Sequence, residues 1–575
     1  MKTFQELKKN LKRNSSSLKP IKIALLGDTA TQFLAQAIKA TGFDSGWDIN
    51  LFEAEFNQID RQIQDPTSEL YSFSPEIVIL FLSTHKLLGK FNKLPENEKA
   101  NFAQSQIEQI SNFYTLLQKR LNVKVICYNF NEIDDAVFGN FANKTNHSFL
   151  YQTRKLNFKL MEFAPGSQNF YVCDLSTIQN KLGHKNTFQP SIYVTTEMVL
   201  SIDSLPHIAQ RTIDIINALD GRFKKCLILD LDNTLWGGII GDDGLENIQI
   251  GSLGIGKAFT EFQYWIKALK NRGIILAICS KNTESVAKEP FEKHPDMVLQ
   301  LDDLSAFMAN WENKANNIRR IQQILNIGFD SMVFLDDNPF ERELVKTAIP
   351  EICVPDLPED PAEYLEYLYS LNLFETISVS KADSERTKQY QTEAKRIALK
   401  QSFTNEADFL KSLNMEAIVE GLTPFNKPRI AQLTQRSNQF NLRTVRYTEA
   451  DLDQLSATGQ HSVFAFSLSD KLGNHGLISA IILKKENNNS LFIDTWLMSC
   501  RVLKRGMENF VLNTLVEFAQ EKNYSTLKGE YIPTAKNEMV KDHYKSLGFK
   551  PCGDFWILDL IDFTSKTTSI SIVRK

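Results

Sequence analysis

The sequence predicts an α/β protein with two parallel-sheet α/β domains followed by an α+β domain. The chain has 575 residues, more than one hydrophobic core usually holds. Apolar runs typical of buried strands alternate with helical segments in two separate stretches, whereas the last stretch has several strands in succession before a helix. The predicted boundaries are a polar arm at 1–20, α/β domains at 21–215 and 222–372, a helical connector at 373–404 and the α+β domain at 405–575.

Three apolar runs in the first domain predict strands of a parallel sheet. They are "IKIALLGD" (21–28), "PEIVILFLS" (75–83) and "NVKVICYNF" (122–130). The segments between them are long enough for crossover helices, and residues 98–120 are predicted to form one of these. This alternation of strands and helices is typical of a parallel α/β domain.

The alternation starts again in the second domain with the strand "KCLILDLD" (225–232). Residues 258–273 then carry apolar side chains at helical spacing, and Gly273 is expected to end that helix. The further predicted strands are 274–280, 297–301, 331–337 and 351–357. A second parallel sheet follows from this order.

The remainder of the chain predicts a connector helix and then mixed α+β structure. Residues 381–403 are highly charged and helical in pattern. The predicted strands that follow are 461–470, 476–485 and 489–499, and the predicted helix is 506–523. Residues 484–490, "KKENNNS", are expected to form a hairpin loop.

Composition excludes several classes of function. The chain has 65 basic and 69 acidic residues and a net charge of −4, so it lacks the basic excess that nucleic-acid binding requires. No apolar run is long enough to span a bilayer, and the first residues do not resemble a secretory signal. Seven cysteines are consistent with reduced thiols. A cytoplasmic protein is therefore expected.

The stretch "LILDLDNTLWGG" (227–238) places two carboxylates where an apolar strand ends in glycines. Alternate side chains of a strand point the same way, so Asp230 and Asp232 should share one side at the carboxyl end of a parallel strand. Ligands of open α/β sheets bind at that edge. Paired carboxylates repel each other unless a cation intervenes, and Mg²⁺ prefers such oxygen ligands.

Three later strand ends or helix starts add complementary groups. Ser280 ends one predicted strand and can donate to a phosphoryl oxygen, Lys314 supplies a positive charge, and Asp336 and Asp337 end a further strand. A lone pair of acids in such a sequence is usually a turn or helix cap. The four features together, in this order, favour phosphoryl transfer through an aspartyl phosphate.

These residues resemble the four motifs of the haloacid dehalogenase (HAD) superfamily, whose catalytic domain has a Rossmann-like sheet. The wider text "KCLILDLDNTLWGGIIGDDG", with "ICSKN" and "FLDDNPFERELV", resembles its FkbH-like group. The resemblance implies a Mg²⁺-dependent enzyme that takes 1,3-bisphosphoglycerate, removes phosphate and loads a glyceryl unit onto the thiol arm of an acyl carrier protein.

The same resemblance assigns roles to individual residues. It implies Asp230 as nucleophile and Asp232 as acid/base. Asp230, Asp232 and Asp337 are the implied metal ligands, and Asp336 either joins them or holds Lys314. The implied substrate-binding residues are Ser280, Lys314, Asn233, Lys281 and Asn282.

Cys279, directly before Ser280, has two interpretations. A carrier-loading enzyme can use a thiol to hold the acyl group, which would make Cys279 catalytic. Alternation along the strand instead places Cys279 opposite Ser280, where buried cysteines are common core residues.

The first domain resembles the SGNH hydrolases at Gly27-Asp28-Thr29, with Thr29 where serine is expected. The matching Asp-x-x-His element is not found, because His207 follows Asp203 at a different spacing. Since a serine-type hydrolase needs its base and orienting acid together, this domain is expected to be a non-catalytic docking or scaffolding unit.

The third domain resembles the GNAT acyltransferases, which implies binding of a carrier arm or coenzyme A. The candidate binding residues are Arg501, Lys504, Arg505, Gly506, Asn537 and Tyr544. A lysine replaces the first glycine of the usual phosphate loop, which weakens the case for coenzyme A because glycines let backbone N–H groups approach phosphates. His475 is either a base or a structural histidine.

Three functions remain open from the sequence. The first is phosphatase and acyl transfer to an acyl carrier protein, with a phosphorylated three-carbon acid as substrate. The second is a plain HAD phosphatase acting on a sugar phosphate or phosphoprotein. The third is a non-enzymatic scaffold, against which the complete set of acids argues.

Overall fold

The computed structural model describes residues 2–55, 57–380, 383, 385–400, 403–487, 489–499, 502–561 and 563–573. The chain forms two compact units, Met1–Leu219 and Asp220–Lys575. The predicted second domain, connector and third domain all lie within the second unit. None of the described helices combines the length and apolar character needed to cross a bilayer.

The first unit is built on a five-stranded parallel sheet in the order β2-β1-β3-β4-β5. Its strands are β1 (Lys19–Gly27), β2 (Trp47–Glu53), β3 (Ile77–Phe81), β4 (Lys124–Tyr128) and β5 (Phe170–Cys173). The three predicted strands are confirmed as β1, β3 and β4. β2 escaped prediction because it mixes polar with apolar residues, and β5 because it has only four residues.

Twelve helices surround this sheet in the described part of the first unit. They are α1 (Phe4–Lys8), α2 (Gln32–Asp44), α3 (Ile59–Gln64), α4 (Glu69–Phe73), α5 (Thr84–Asn92), α6 (Glu96–Lys99), α7 (Phe102–Leu121), α8 (Phe149–Phe163), α9 (Leu175–Leu182), α10 (His184–Thr187), α11 (Pro190–Thr196) and α12 (Leu205–Leu219). The helix predicted at 98–120 corresponds to α7, which begins a few residues later.

The second unit starts with a four-stranded parallel sheet in the order β8-β7-β6-β9. Its strands are β6 (Cys226–Leu229), β7 (Ile275–Ser280), β8 (Leu304–Ala309) and β9 (Met332–Leu335). Its helices are α13 (Ile240–Asp243), α14 (Gly256–Asn271), α15 (Glu284–Lys293), α16 (Lys314–Leu325), α17 (Pro339–Ala348) and α18 (Tyr364–Leu371). The central strands are buried on both faces, which is typical of parallel sheets with helices on each side.

Two predicted strands of this sheet are wrong. Residues 297–300 are irregular and β8 lies further on, because the side-chain oxygen of Gln263 accepts from the backbone N–H groups of Val298 and Leu299, at 3.1 Å each. These bonds take donors that a strand would use in its ladder. The run 351–357 forms only an isolated bridge, between Cys353 and Val333.

The connector continues into α19 (Arg386–Lys400), which confirms the predicted helix, although residues 381–382, 384 and 401–402 lie outside the described residues. The remaining helices are α20 (Glu406–Ser412), α21 (Lys427–Arg436), α22 (Glu449–Ala457), α23 (Met507–Glu521) and α24 (His543–Ser546). They accompany an eight-stranded mixed sheet in the order β15-β16-β14-β13-β12-β11-β10-β17. This part is therefore α+β, as predicted.

The strands of the mixed sheet are β10 (Met415–Glu420), β11 (His461–Asp470), β12 (Gly473–Lys485), β13 (Ser490–Met498), β14 (Thr526–Glu530), β15 (Lys550–Cys552), β16 (Phe555–Asp559) and β17 (Ile570–Ile572). The order β10 to β13 is antiparallel, whereas β13 and β14 are parallel. The predicted hairpin loop lies between β12 and β13.

β14 pairs only with the first half of β13, up to Ile493 and Gly529. Beyond that point residues 440–442 lie along the second half of β13. Leu442 N–H donates to the carbonyl of Trp496 at 3.2 Å, and Met498 N–H donates to the carbonyl of Phe440 at 3.0 Å. The chain itself therefore occupies the gap that opens between these two strands.

Candidate active site

The candidate site is built at the carboxyl edge of the second unit's parallel sheet. Asp230 follows β6, and its N–H donates to the carbonyl of Leu335, the last residue of β9, at 3.0 Å. Because β6 and β9 are adjacent and parallel, their ends bring Asp230 beside Asp336 and Asp337. The N–H of Asp337 also donates to the hydroxyl of Thr234, at 3.2 Å, which ties the two strand ends together.

Asp230, Asp336 and Asp337 form a carboxylate cluster, each offering an oxygen within 4.8 Å of the others. Asp230 and Asp336 are buried, and Asp337 is half-buried. Asp230 Oδ1 is buried without a hydrogen-bond partner among the described residues, although a buried carboxylate oxygen normally has one. The carboxylate oxygens of this cluster are ligands that Mg²⁺ prefers, so the residues present suit the implied metal.

Lys314 supplies the positive charge of the site. It is the first residue of α16, and its Nζ lies 2.8 Å from Asp230 Oδ2 and 2.5 Å from Asp336 Oδ2. Burial lowers the pKa of Lys314, but the two carboxylates outweigh this effect and hold the pKa well above its usual value. Burial and the charge of Asp230 raise the pKa of Asp336 to about 7.

Asp232 lies outside the carboxylate cluster, because three donors hold its side chain elsewhere. Its Oδ1 accepts from the Trp236 indole N–H and the Ile240 N–H, at 3.0 Å each. Its Oδ2 accepts from the Asn282 amide at 3.1 Å. Burial raises the pKa of Asp232, and the charge of Asp230 adds to this, although the Ile240 and Trp236 bonds oppose it. A raised pKa suits a carboxyl group that exchanges a proton.

Three of the residues expected to bind substrate lie together at and just after the end of β7, whereas Asn233 lies in a turn. Ser280 is buried at the end of β7, beside the cluster's edge of the sheet. Asn282 and Lys281 follow it, and Lys281 Nζ is paired with Glu341 Oε1 at 2.6 Å. Asn233 instead shapes a turn: its φ is +54°, and its side-chain oxygen accepts from Gly238 N–H at 2.9 Å.

Cys279 is a core residue in this structure. Its side chain is 0 % exposed, lies in the apolar cluster that α16 covers, and points its Sγ to the Lys314 carbonyl at 3.6 Å. Burial raises the pKa of the Cys279 thiol far above its usual value, although Lys314 opposes the shift. Since the thiolate is the nucleophile, this placement disfavours a thioester on Cys279.

Sequence reasoning missed two residues that hold the site together. Trp236 fixes Asp232 through its indole N–H. Arg342, on α17, donates from Nη1 to the carbonyls of Asp336 and Asp337, at 2.9 and 2.6 Å. A signal was present for Arg342, which is the fourth residue of α17, the helix that begins just after the two acids.

The candidate carrier-binding residues of the mixed sheet are largely occupied by internal contacts. Arg505 is buried and pairs with Glu393 at 2.5 Å, and its Nη1 is 3.1 Å from His475 Nε2. His475 in turn contacts Asp470 at 3.1 Å, which matches a structural histidine. Gly506, with φ of +76°, precedes α23.

Asn537 and Tyr544 are buried as well. The Asn537 amide donates to the carbonyls of Asn441 and Ile532, at 2.9 Å each, and thereby fixes the 440–442 segment. Lys504 is exposed, with φ of +60°. Arg501 lies outside the described residues.

In the first unit, Asp28 and Thr29 follow β1. Both Asp28 oxygens accept from Ser83 N–H, at 2.9 and 3.0 Å, and burial raises the pKa of Asp28 to about 6. The Thr29 hydroxyl is buried without a partner among the described residues. His207, on α12, is half-buried, and burial lowers its pKa.

Comparisons with known proteins identify relatives of this chain. Residues 22–217 match the family model of the FkbH N-terminal domain. The second finding is a solved structure, the N-terminal part of the protein BF1531 from Bacteroides fragilis, which contains a phosphatase domain complexed with Mg. It is 56% identical, with a TM-score of 0.64, and the match covers 66% of this chain and 100% of that chain.

Matches to acetyltransferase structures are more distant. The ribosomal-protein-S18-alanine N-acetyltransferase of Escherichia coli is 15% identical over 26% of this chain and 98% of that chain, with a TM-score of 0.20. Spermidine N-acetyltransferase of Vibrio cholerae is 13% identical over 25% and 96%, with a TM-score of 0.21. Among curated proteins, none matches. The extent and identity of the match to BF1531 place this chain among the FkbH-like enzymes of the haloacid dehalogenase superfamily.

Proposed function

We propose that this protein is a Mg²⁺-dependent phosphatase and acyltransferase, which dephosphorylates a phosphorylated three-carbon acid of the 1,3-bisphosphoglycerate type and loads the acyl group onto an acyl carrier protein. The observation that carries the phosphatase part is the cluster of Asp230, Asp336 and Asp337 beside Lys314, with Asp230 Oδ1 left without a partner among the described residues. The match to a Mg-bound phosphatase domain supports the same chemistry.

The first step is attack of Asp230 Oδ1 on the phosphate ester. A bond forms between Oδ1 and phosphorus, and the bond from phosphorus to the substrate oxygen breaks. Asp232, in its carboxylic-acid form, gives its proton to the leaving oxygen. Water then attacks the aspartyl phosphate, Asp232 takes a proton from it, and inorganic phosphate leaves Asp230 free. When bound, Mg²⁺ offsets the negative charge of the phosphoryl group and of the carboxylates.

Lys314 stabilises charge and Asn282 orients a carboxyl group, each through the position of its side chain. The Lys314 ammonium stabilises charge that spreads over the phosphoryl oxygens, and its hold on Asp230 Oδ2 leaves Oδ1 free for attack. Asn282 orients Asp232, whose other oxygen is held by Trp236 and Ile240. The carboxyl that exchanges the proton is thereby kept separate from the carboxyl that attacks.

Acyl transfer uses the acyl-phosphate end of the same substrate. The carrier thiolate attacks the carbonyl carbon, a carbon–sulfur bond forms, and the carbon–oxygen bond to phosphate breaks. This direct route needs no acyl group on Cys279, whose thiol is buried with a raised pKa. The family match of residues 22–217 supports a carrier-loading role, since the FkbH-like resemblance implies that partner.

A plain HAD phosphatase is the second candidate, favoured by the same burial of Cys279. It uses every residue of the carboxylate site and leaves the mixed sheet as a binding module. The two candidates differ in substrate, which for the plain phosphatase is a sugar phosphate or a phosphoprotein, and in whether an acyl group is transferred.

The test is the intact mass of a holo acyl carrier protein after incubation with this protein, Mg²⁺ and freshly generated 1,3-bisphosphoglycerate. A glyceryl-sized increase that also appears with the Cys279→Ala variant supports direct loading. An increase that requires Cys279 contradicts the direct route. Phosphate and free acid without any increase identify the plain phosphatase. Loss of phosphate release in Asp230→Asn, with wild type active, excludes the scaffold.

A further inference from the structure

The second unit contains a cavity of about 560 Å³ that none of the catalytic side chains lines. One wall comes from the parallel-sheet part, at Lys225, Ile275 and residues 326–331. The opposite wall comes from α19, α21 and the mixed-sheet part. The volume is within the range of small-molecule sites, which commonly occur where two such parts meet.

This cavity lies at the opposite end of the parallel sheet from the aspartates. Lys225 directly precedes β6 and Asp230 directly follows it, and Ile275 begins β7, which Ser280 ends. At ~3.3 Å per residue, the strands separate the two places by roughly 15 Å. A ligand in the cavity would therefore occupy a site separate from the phosphatase centre.

The charges of the cavity favour an anion. Among the described residues that line it, five are basic and two, Asp330 and Glu351, are acidic. The basic ones are Lys225, Arg386, Arg429, Arg436 and Lys536. Because basic side chains are in excess, a negatively charged ligand that enters the cavity is attracted more strongly than a neutral one.

Two basic side chains of the wall share one carboxylate. Arg386 and Arg436 both pair with Asp383, each at 2.5 Å. Lys225 Nζ donates to the carbonyl of Arg436 at 2.8 Å, and its charge also acts on Asp330. Burial lowers the pKa of Arg436 to about 9, and the charge of Arg386 contributes to this. A second anion near these guanidinium groups would relieve that repulsion, and guanidinium groups match phosphate and carboxylate oxygens geometrically.

Part of the remaining wall is apolar. Phe329, Tyr390, Leu433, Phe440 and Met498 contribute to it, and all of them except Phe329 are buried. Lys536 is exposed and pairs with Asp330, so one charged end of the cavity lining is accessible to solvent. The cavity therefore combines basic groups with aromatic and aliphatic ones.

We propose that this cavity is a second ligand site, which binds a small organic anion whose phosphate or carboxylate headgroup meets the basic side chains and whose apolar body packs on Phe329, Tyr390 and Phe440. The site is independent of the proposed phosphatase function, because no residue of the carboxylate cluster contributes to it.

The experiment is calorimetric titration of the full chain, without Mg²⁺, with four probes. Phenylphosphonate and phenylacetate carry an anionic headgroup on an aromatic body, benzyl alcohol lacks the charge, and inorganic phosphate lacks the apolar body. The proposal expects at least one of the two amphipathic anions to bind at least tenfold more tightly than benzyl alcohol and inorganic phosphate. Whichever of the two binds more tightly identifies the headgroup.

Two variants locate the binding. Arg429→Gln and Lys536→Gln should each weaken it about fivefold or more, and the double variant should weaken it further. Lys541→Gln is the matched control, because Lys541 follows closely in the chain but pairs with Glu538 at the exposed surface. An unchanged thermal unfolding midpoint establishes that the variants fold. Affinity that the double variant retains, or equal affinity for all four probes, overturns the proposal.

Discussion

Replacing Lys314 by methionine tests the charge balance of the carboxylate site. The ammonium lies 2.8 and 2.5 Å from two buried carboxylate oxygens, and each contact is worth about 6 kcal/mol at an effective dielectric constant of about 20. Desolvation and the repulsion between Asp230 and Asp336 offset most of this attraction. Removing one partner of a buried pair typically costs about 3–5 kcal/mol, and we expect Lys314→Met to lower the free energy of unfolding by that amount at pH 8.

The loss should depend on pH and on metal. Without the ammonium, the pKa of Asp336 rises further above its unfolded value, because its carboxyl is desolvated beside Asp230 and has lost its cation. A raised carboxyl pKa favours the folded state at low pH and disfavours it as the pH rises. The variant should therefore regain stability as the pH falls from above about 7, the pKa of Asp336 in the wild type, towards the unfolded value of about 4. Mg²⁺ should also restore part of the loss, since it offsets the same charges.

Urea denaturation with and without Mg²⁺, together with phosphate release, measures these effects. Phosphate release should fall about 10²–10³-fold, the usual cost of losing one charged stabiliser in an enclosed site. Lys346→Met is the control: its pair with Asp356 is exposed and should contribute less than about 1 kcal/mol. A Lys314→Met protein with unchanged stability in the absence of Mg²⁺, at pH 8 and pH 5 alike, would refute this electrostatic reasoning.

Three further changes follow from buried hydrogen bonds. Trp236→Phe removes a donor that lowers the pKa of Asp232. The pKa of Asp232 should therefore rise, and the basic limb of the pH profile of kcat/KM should move to higher pH. An unmoved limb would contradict the role of Asp232 as acid. As the pH rises from about 4 to about 6, the wild type should lose about 3 kcal/mol of native stability, and Asp28→Asn should not show this loss. Amide hydrogen exchange of β1, corrected for intrinsic rates, measures the effect, and an equal loss in the variant would contradict it. Asn537→Ala leaves two carbonyls without their donor and should destabilise the fold by about 1–3 kcal/mol, with faster hydrogen exchange in residues 440–442; unchanged exchange there would disprove its anchoring role.

Much of the fold could be predicted because the central strands have strong apolar patterns. The strands at 225–232, 274–280 and 331–337 are buried on both faces, so their runs are continuous and easily recognised. The run 297–301 is also apolar but does not form a strand, because the distant Gln263 accepts hydrogen bonds from its backbone donors. Such a tertiary contact leaves no local trace in the sequence.

The part of the site that lies at the ends of strands could be predicted from the sequence. The sequence placed Asp230 and Asp336 at strand ends and Lys314 at a helix start, and the parallel order then brings them together. The different environment of Asp232 could not be predicted, since it depends on the indole of Trp236 and the amide of Asn282. Likewise, only the structure places the 440–442 segment beside β13, because that contact joins distant parts of the chain.

The most direct test of the proposed chemistry is to identify the phosphorylated residue. The protein is mixed with Mg²⁺ and a phosphorylated substrate, quenched within one turnover and reduced with borohydride, which converts an aspartyl phosphate to homoserine. Peptide mass mapping then locates the reduced residue. Our account predicts homoserine at position 230, and its absence from the Asp230→Asn protein. Reduction at another aspartate, or phosphate release without any trapped residue, would contradict Asp230 as the nucleophile.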